Sequence, residues 1–162
     1  MYEKVVVLLD GSGLAEQVLP HVVEIVRGRD SQVYLLSVAP VMVPTMAAGV
    51  GPHPMYMTAD FLVAETAQQE RIEQELREYL EKTAERLRSV AAGVHTVVRF
   101  GRPADEILQY AEEIEADLIA MSTHGRSGIS RWVYGSVADK VLRGATCPVL
   151  LVRVRPEERQ SD

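Results

Sequence analysis

The residues best suited to chemistry lie between positions 121 and 137, where Met121-Ser122-Thr123-His124-Gly125-Arg126-Ser127-Gly128 precedes Gly135-Ser136-Val137. Gly125 and Gly128 carry no Cβ, so their backbone N–H groups can come close to an oxyanion and the chain can take positive φ. Gly135-Ser136 opens a following helix, whose free N–H groups and dipole also favour an anion. The chemistry on offer is phosphate binding. Between Ser122 and Arg143, four cations (Arg126, Arg131, Lys140 and Arg143) stand against one acid, Asp139, so this stretch is +3 inside a chain of net charge -6. The bare pattern also fits solvated cations and ordinary turn glycines, with Ser136 capping a helix and Asp139 completing a capping box.

Other chemistries find less support. The P-loop pattern GxxxxGK[ST] and the dinucleotide pattern GxGxxG are both absent. Ser12, Ser127 and Ser130 have no histidine and acid partner at a recognisable spacing, so nucleophilic catalysis is not indicated. His124 reads as a donor to phosphate rather than a general base, and His21, His53 and His95 belong to no pattern. The single cysteine, Cys147, cannot form an internal disulfide and reads as a small buried hydrophobe. No cysteine and histidine cluster has metal-ligand spacing. Trp132 and Tyr134 read as anchors that pack the loop on the domain.

Such a loop needs a strand before it and a helix after it. Residues 117–122 (DLIAMS) form a buried strand, and 136–143 a short helix. The run 4–9 (KVVVLL) is apolar and β-branched, which fits a strand buried on both faces of a parallel sheet. It ends in Asp10-Gly11-Ser12, where Ser12 can cap a helix. Ala15, Val18, Leu19, Val22, Val23 and Val26 then make one helical stripe, with a kink expected at the interior Pro20. Residues 32–38 are a second strand, followed by a long loop, 39–58, whose methionines read as packing anchors and which is expected to border the site. Residues 59–92 are helical, with Gly93 as the stop. Residues 94–100 are a third strand, followed by a helix that opens at Pro103 and runs to about Glu115, and 149–152 are the fifth strand. This β-α alternation predicts an α/β fold: an open parallel five-stranded sheet with helices on both faces. Ligands gather outside the carboxyl ends of such strands, here the turns after strands one, two and four.

The segment MSTHGRSGISRWVYGSVADKVLRGATCPVLLV resembles the signature of the universal stress protein family, Gly-x2-Gly-x9-Gly followed by Ser or Thr. Gly125, Gly135 and Ser136 match its last three fixed positions, and Ser122 replaces the first glycine. VVVLLDGS near the start, GRPADEIL and TCPVLLV extend the likeness over nearly the whole chain. The resemblance implies a Rossmann-like sheet of the adenine nucleotide alpha hydrolase type, with strand order 3-2-1-4-5 and two helices on each face. It implies ATP, ADP or AMP as ligand, with Mg or Mn held mainly through the phosphates. Asp10 and Val38 would lie beside the adenine or ribose. Leu8, Ser12, Met121, Ser122, Thr123, His124, Gly125 and Arg126 would line the sugar and phosphates, and Gly128, Gly135, Ser136 and Val137 would complete the cradle. Leu8 stands where ATP-binding members often have proline. The family also contains a nucleotide-free branch serving as a dimeric scaffold, and a slow ATPase is a third reading.

The chain has 162 residues, 47% of them hydrophobic and 25% charged, which suits one domain, 1–155, with a short tail, 156–162. Its acidity disfavours nucleic acid as a partner. No apolar run reaches the roughly 18 residues of a membrane span, and no export signal opens the chain, so a cytoplasmic protein is expected. The last strand would be an exposed apolar edge, and a homodimer paired through it is expected.

Overall fold

The computed structural model describes residues 2–41, 59–124 and 135–154. Five parallel strands, β1 (Lys4–Leu8), β2 (Gln32–Ala39), β3 (Gly93–Phe100), β4 (Leu118–His124) and β5 (Val149–Val154), form one sheet of order β3-β2-β1-β4-β5. Four α-helices connect them: α1 (Leu19–Val26), α2 (Ala59–Leu87), α3 (Pro103–Glu113) and α4 (Ser136–Gly144). The expected topology is the observed one. The expectations placed on the loop 42–58, on Trp132 and Tyr134, and on the tail lie outside the described residues.

Alternation along β1 divides the core. Val5 and Val7 face α1 and α2, where Val22, Val26, Leu80 and Leu87 pack; Val6 faces α3 and α4, where Ile107, Ala111 and Val141 pack. All three valines are fully buried, as a central strand covered on both sides requires. The start of β1 is fixed by Asp117, whose Oδ2 accepts the Glu3 and Lys4 N–H groups at 2.9 and 2.8 Å.

Several local expectations change. Pro20 is not interior: a 3-10 turn, Ala15–Val18, comes first, and α1 begins at Leu19, so the proline sits in a first turn where no N–H is needed. The helix before β3 ends at Leu87 rather than at Gly93, which instead opens the strand. Strand β4 runs two residues further than expected and takes in Thr123 and His124. Ser136 does not cap α4. Gly135 is the N-cap, and Asp139 pairs forward with Arg143 at 3.0 Å.

Helix α3 ends in a Schellman motif: Ala116 N–H donates to Ala111 O at 2.8 Å and Glu115 N–H to Glu112 O at 3.0 Å. The left-handed residue is Glu115, at φ 53°, a conformation that favours glycine. Its 3.9 Å ion pair with Lys4 is exposed and contributes little. Glu115→Gly is therefore expected to stabilise the protein by about 0.5–1 kcal/mol, read as a higher denaturant midpoint at unchanged slope.

Candidate functional site

The carboxyl ends of the three central strands supply the floor of a cleft of about 260 Å³. Leu8, Leu9 and Asp10 come from the end of β1, Leu36 and Val38 from β2, and Met121 and Ser122 from β4. Ala15 closes one side, and the first two turns of α3 and the first turn of α4 add Pro103, Ile107 and Val137. The walls are apolar except at Asp10 and Ser122, an arrangement that accepts a flat apolar body and orients it with few polar groups.

The turn after β1 is built locally. Asp10 Oδ1 accepts the Ser12 N–H at 2.9 Å, and Ser12 Oγ accepts the Ala15 N–H at 3.1 Å. Gly11 between them has φ +83°, so a side chain there would be strained. Ser12 thus caps the 3-10 turn, as expected for its type. Ser122 Oγ donates to the Ala15 carbonyl at 3.0 Å. Behind the turn, Arg86 of α2 pairs with Glu16 at 2.8 Å. The Tyr79 hydroxyl is pushed up to about 12 by burial first and then by the charges of Glu16 and Asp10, so it keeps its proton at neutral pH. Cys147 lies at the rim of the α3–α4 core and is half-buried rather than buried; burial pushes its thiol up and away from reactivity.

Of the residues singled out in the sequence, Leu8, Asp10, Val38, Met121, Ser122 and Val137 border the cleft. Ser12 stands behind it as a cap, and Thr123 is buried without lining it. Gly135 and Ser136 are exposed at the start of α4, beside Val137. His124 is the last residue of β4, and Gly125, Arg126 and Gly128 lie outside the described residues. Leu9, Ala15, Leu36, Pro103 and Ile107 were not foreseen. Pro103 carries a signal, since it opens the helix at the carboxyl end of β3, a fourth strand end from which a residue reaches the cleft. Leu36 and Ile107 read only as core residues, because their place at the edge of a layer depends on register.

An open parallel sheet with an apolar cleft at its carboxyl edge has the architecture in which doubly wound α/β domains place their ligands. The model of the universal stress protein family matches residues 1–153. Universal stress protein MJ0531 of Methanocaldococcus jannaschii is 33% identical over 158 residues, covering 98% of this chain and 86% of that protein. The chain belongs to the universal stress protein family. Among solved structures, the protein MJ0577 superposes with a TM-score of 0.76 at 25% identity, over 97% of this chain and 99% of that one. The universal stress protein of Archaeoglobus fulgidus, solved in complex with dAMP, superposes with a TM-score of 0.55 at 25% identity, over 93% and 98%. No helix among the described residues is long and apolar enough to cross a membrane.

Proposed function

We propose that this protein binds an adenine nucleotide, ATP, ADP or AMP, and acts as a nucleotide-responsive regulatory module in the cytoplasm during stress adaptation. The observation that carries the reading is the cleft itself: an apolar slot at the carboxyl edge, one acid at its rim, and an open helix start at Gly135 beside it. The dAMP held by the Archaeoglobus fulgidus relative supports the same ligand class. Base and sugar would lie between Val38, Met121 and Asp10, and the phosphates would reach the first N–H groups of α4. Among the described residues no three His, Cys, Asp or Glu side chains gather to hold an ion. Mg or Mn would take its ligands mainly from the phosphates, as the family resemblance implies. Asp10, whose Oδ1 accepts the Ser12 N–H, stands at the rim of the cleft, where it would orient the bound nucleotide.

A nucleotide-free scaffold is the second reading, favoured by the Ser122 side chain in the cleft and by Leu8 beside it. In either reading the active form is a homodimer joined along β5. Denaturing the purified protein and chromatographing the supernatant, followed by calorimetric titration of the refolded chain with ATP, tests the first reading. Released nucleotide or saturable heat is expected. Neither at millimolar ATP, with the fold intact by circular dichroism, would leave the scaffold.

A further inference from the structure

The segment between Leu9 and Ala15 leaves the sheet, yet its two ends are tied to the strands on either side of β1. The β1–β2 register stops at the pair Leu8–Leu36, and Leu9 N–H donates to Leu36 O at 3.0 Å. From there the next tie is a side chain. Ser37 Oγ of β2, 1% exposed, donates to the Leu9 carbonyl at 2.5 Å, the carbonyl immediately before Asp10. On the other side Ser122 Oγ of β4 donates to the Ala15 carbonyl at 3.0 Å. Asp10 and Ala15 both border the cleft, whereas Ser37 does not.

We propose that Ser37 and Ser122 are positioning residues of this site, a pair of hydroxyl staples that set where the Asp10 turn stands against a bound nucleotide. The proposal rests on the nucleotide reading. It assigns Ser37, which cannot touch the ligand, a role in binding. It also gives Ser122 a use for its hydroxyl other than contact with the ligand. The Ser37 staple holds a backbone carbonyl that no strand partner holds, and the Ser122 staple adds a tie from β4 to a carbonyl of the 3-10 turn, so removing either loosens one end of a seven-residue segment. Pre-organisation of this kind appears in affinity, because a turn that must be ordered on binding weakens the complex.

The test is calorimetric titration with ATP of the wild type, Ser37→Ala, Ser37→Thr, Ser122→Ala and Ser122→Gly, at a temperature where melting curves place every variant fully folded. Ser37→Ala is expected to lose about five- to tenfold in affinity, and Ser37→Thr to recover most of it by keeping the hydroxyl. Ser122→Ala and Ser122→Gly are expected to lose affinity alike, since both remove the staple. Amide hydrogen exchange at Gly11 to Ala15 without nucleotide should quicken in the alanine variants. That readout separates a loosened turn from a general loss of stability, which would quicken exchange in β1 as well. Unchanged affinity in Ser37→Ala beside a binding wild type would overturn the staple alone. Tighter binding in Ser122→Gly with none lost in Ser122→Ala would make the side chain an obstacle and overturn it too. A wild type that binds no nucleotide would remove the nucleotide reading and the proposal with it.

Discussion

Replacing Gly135 by valine is expected to abolish adenine-nucleotide binding while leaving the fold in place. Gly135 is exposed, and its φ of -51° and ψ of 155° are values that any L residue adopts, so the backbone does not demand glycine. A Cβ built there meets nothing within 4 Å among the described residues. What glycine provides is empty space beside the first N–H groups of α4, the place where phosphate oxygens would be held. A branched side chain would cover those donors. The N-cap changes from glycine to a poorer capping type, which costs about 1 kcal/mol at most and moves the melting temperature by roughly 2–4 °C. The loss of affinity for ATP should exceed about 100-fold, or about 2.7 kcal/mol. Titration beside circular dichroism of the two proteins decides it; retention of affinity within threefold would place the phosphates away from α4.

The second large effect concerns the edge of the sheet. Ile119 N–H donates to Pro148 O at 3.0 Å, and Ile119 stands in register with Val149. In a parallel ladder this turns the backbone groups of Pro148, Leu150 and Val152 toward β4 and those of Val149, Leu151 and Arg153 outward. Leu151 and Val152 are both half-buried, so proline at either position loses comparable packing. Only the direction of the missing N–H differs. Leu151→Pro should break pairing with a second copy and shift the mass seen by light scattering from twice 17.9 kDa to 17.9 kDa, with the monomer folded. Val152→Pro should instead strip β5 from β4 within the subunit, leaving a buried acceptor unsatisfied at about 1–3 kcal/mol and producing aggregate. A folded, unchanged dimer for Leu151→Pro would move the interface away from β5.

Much of this architecture can be read from the chain because its strands are short apolar runs bounded by turn residues. KVVVLL followed by Asp-Gly-Ser left little choice but a central strand ending in a tight turn. Boundaries were harder wherever one residue type serves two roles. Pro20 breaks a helix from inside but starts one just as well, and the competing 3-10 turn decided between them. Ser136 and Asp139 have the spacing of a capping box, yet Arg143 four residues on took the carboxylate. The site divides in the same way. Asp10, Met121 and Val137 follow from strand ends and the family pattern. The serine staples span 28 and 107 residues and exist only once the register is set, so no local pattern announces them.

The place of β1 in the middle of the sheet also governs how the protein can fold while it is being made. One side of β1 is covered early, by β2, but the other waits for β4, and Lys4 meets its cap Asp117 across a separation of 113 residues. At about 5–20 residues per second, the ribosome takes roughly 6–23 s to supply that partner. During this interval Val5, Val6 and Val7, all fully buried in the finished molecule, form an open apolar edge in a nascent β1–β2–β3 sheet. A chain stalled or truncated before 117 would hold that edge permanently, making it a natural client for chaperones and a template for pairing with its own kind.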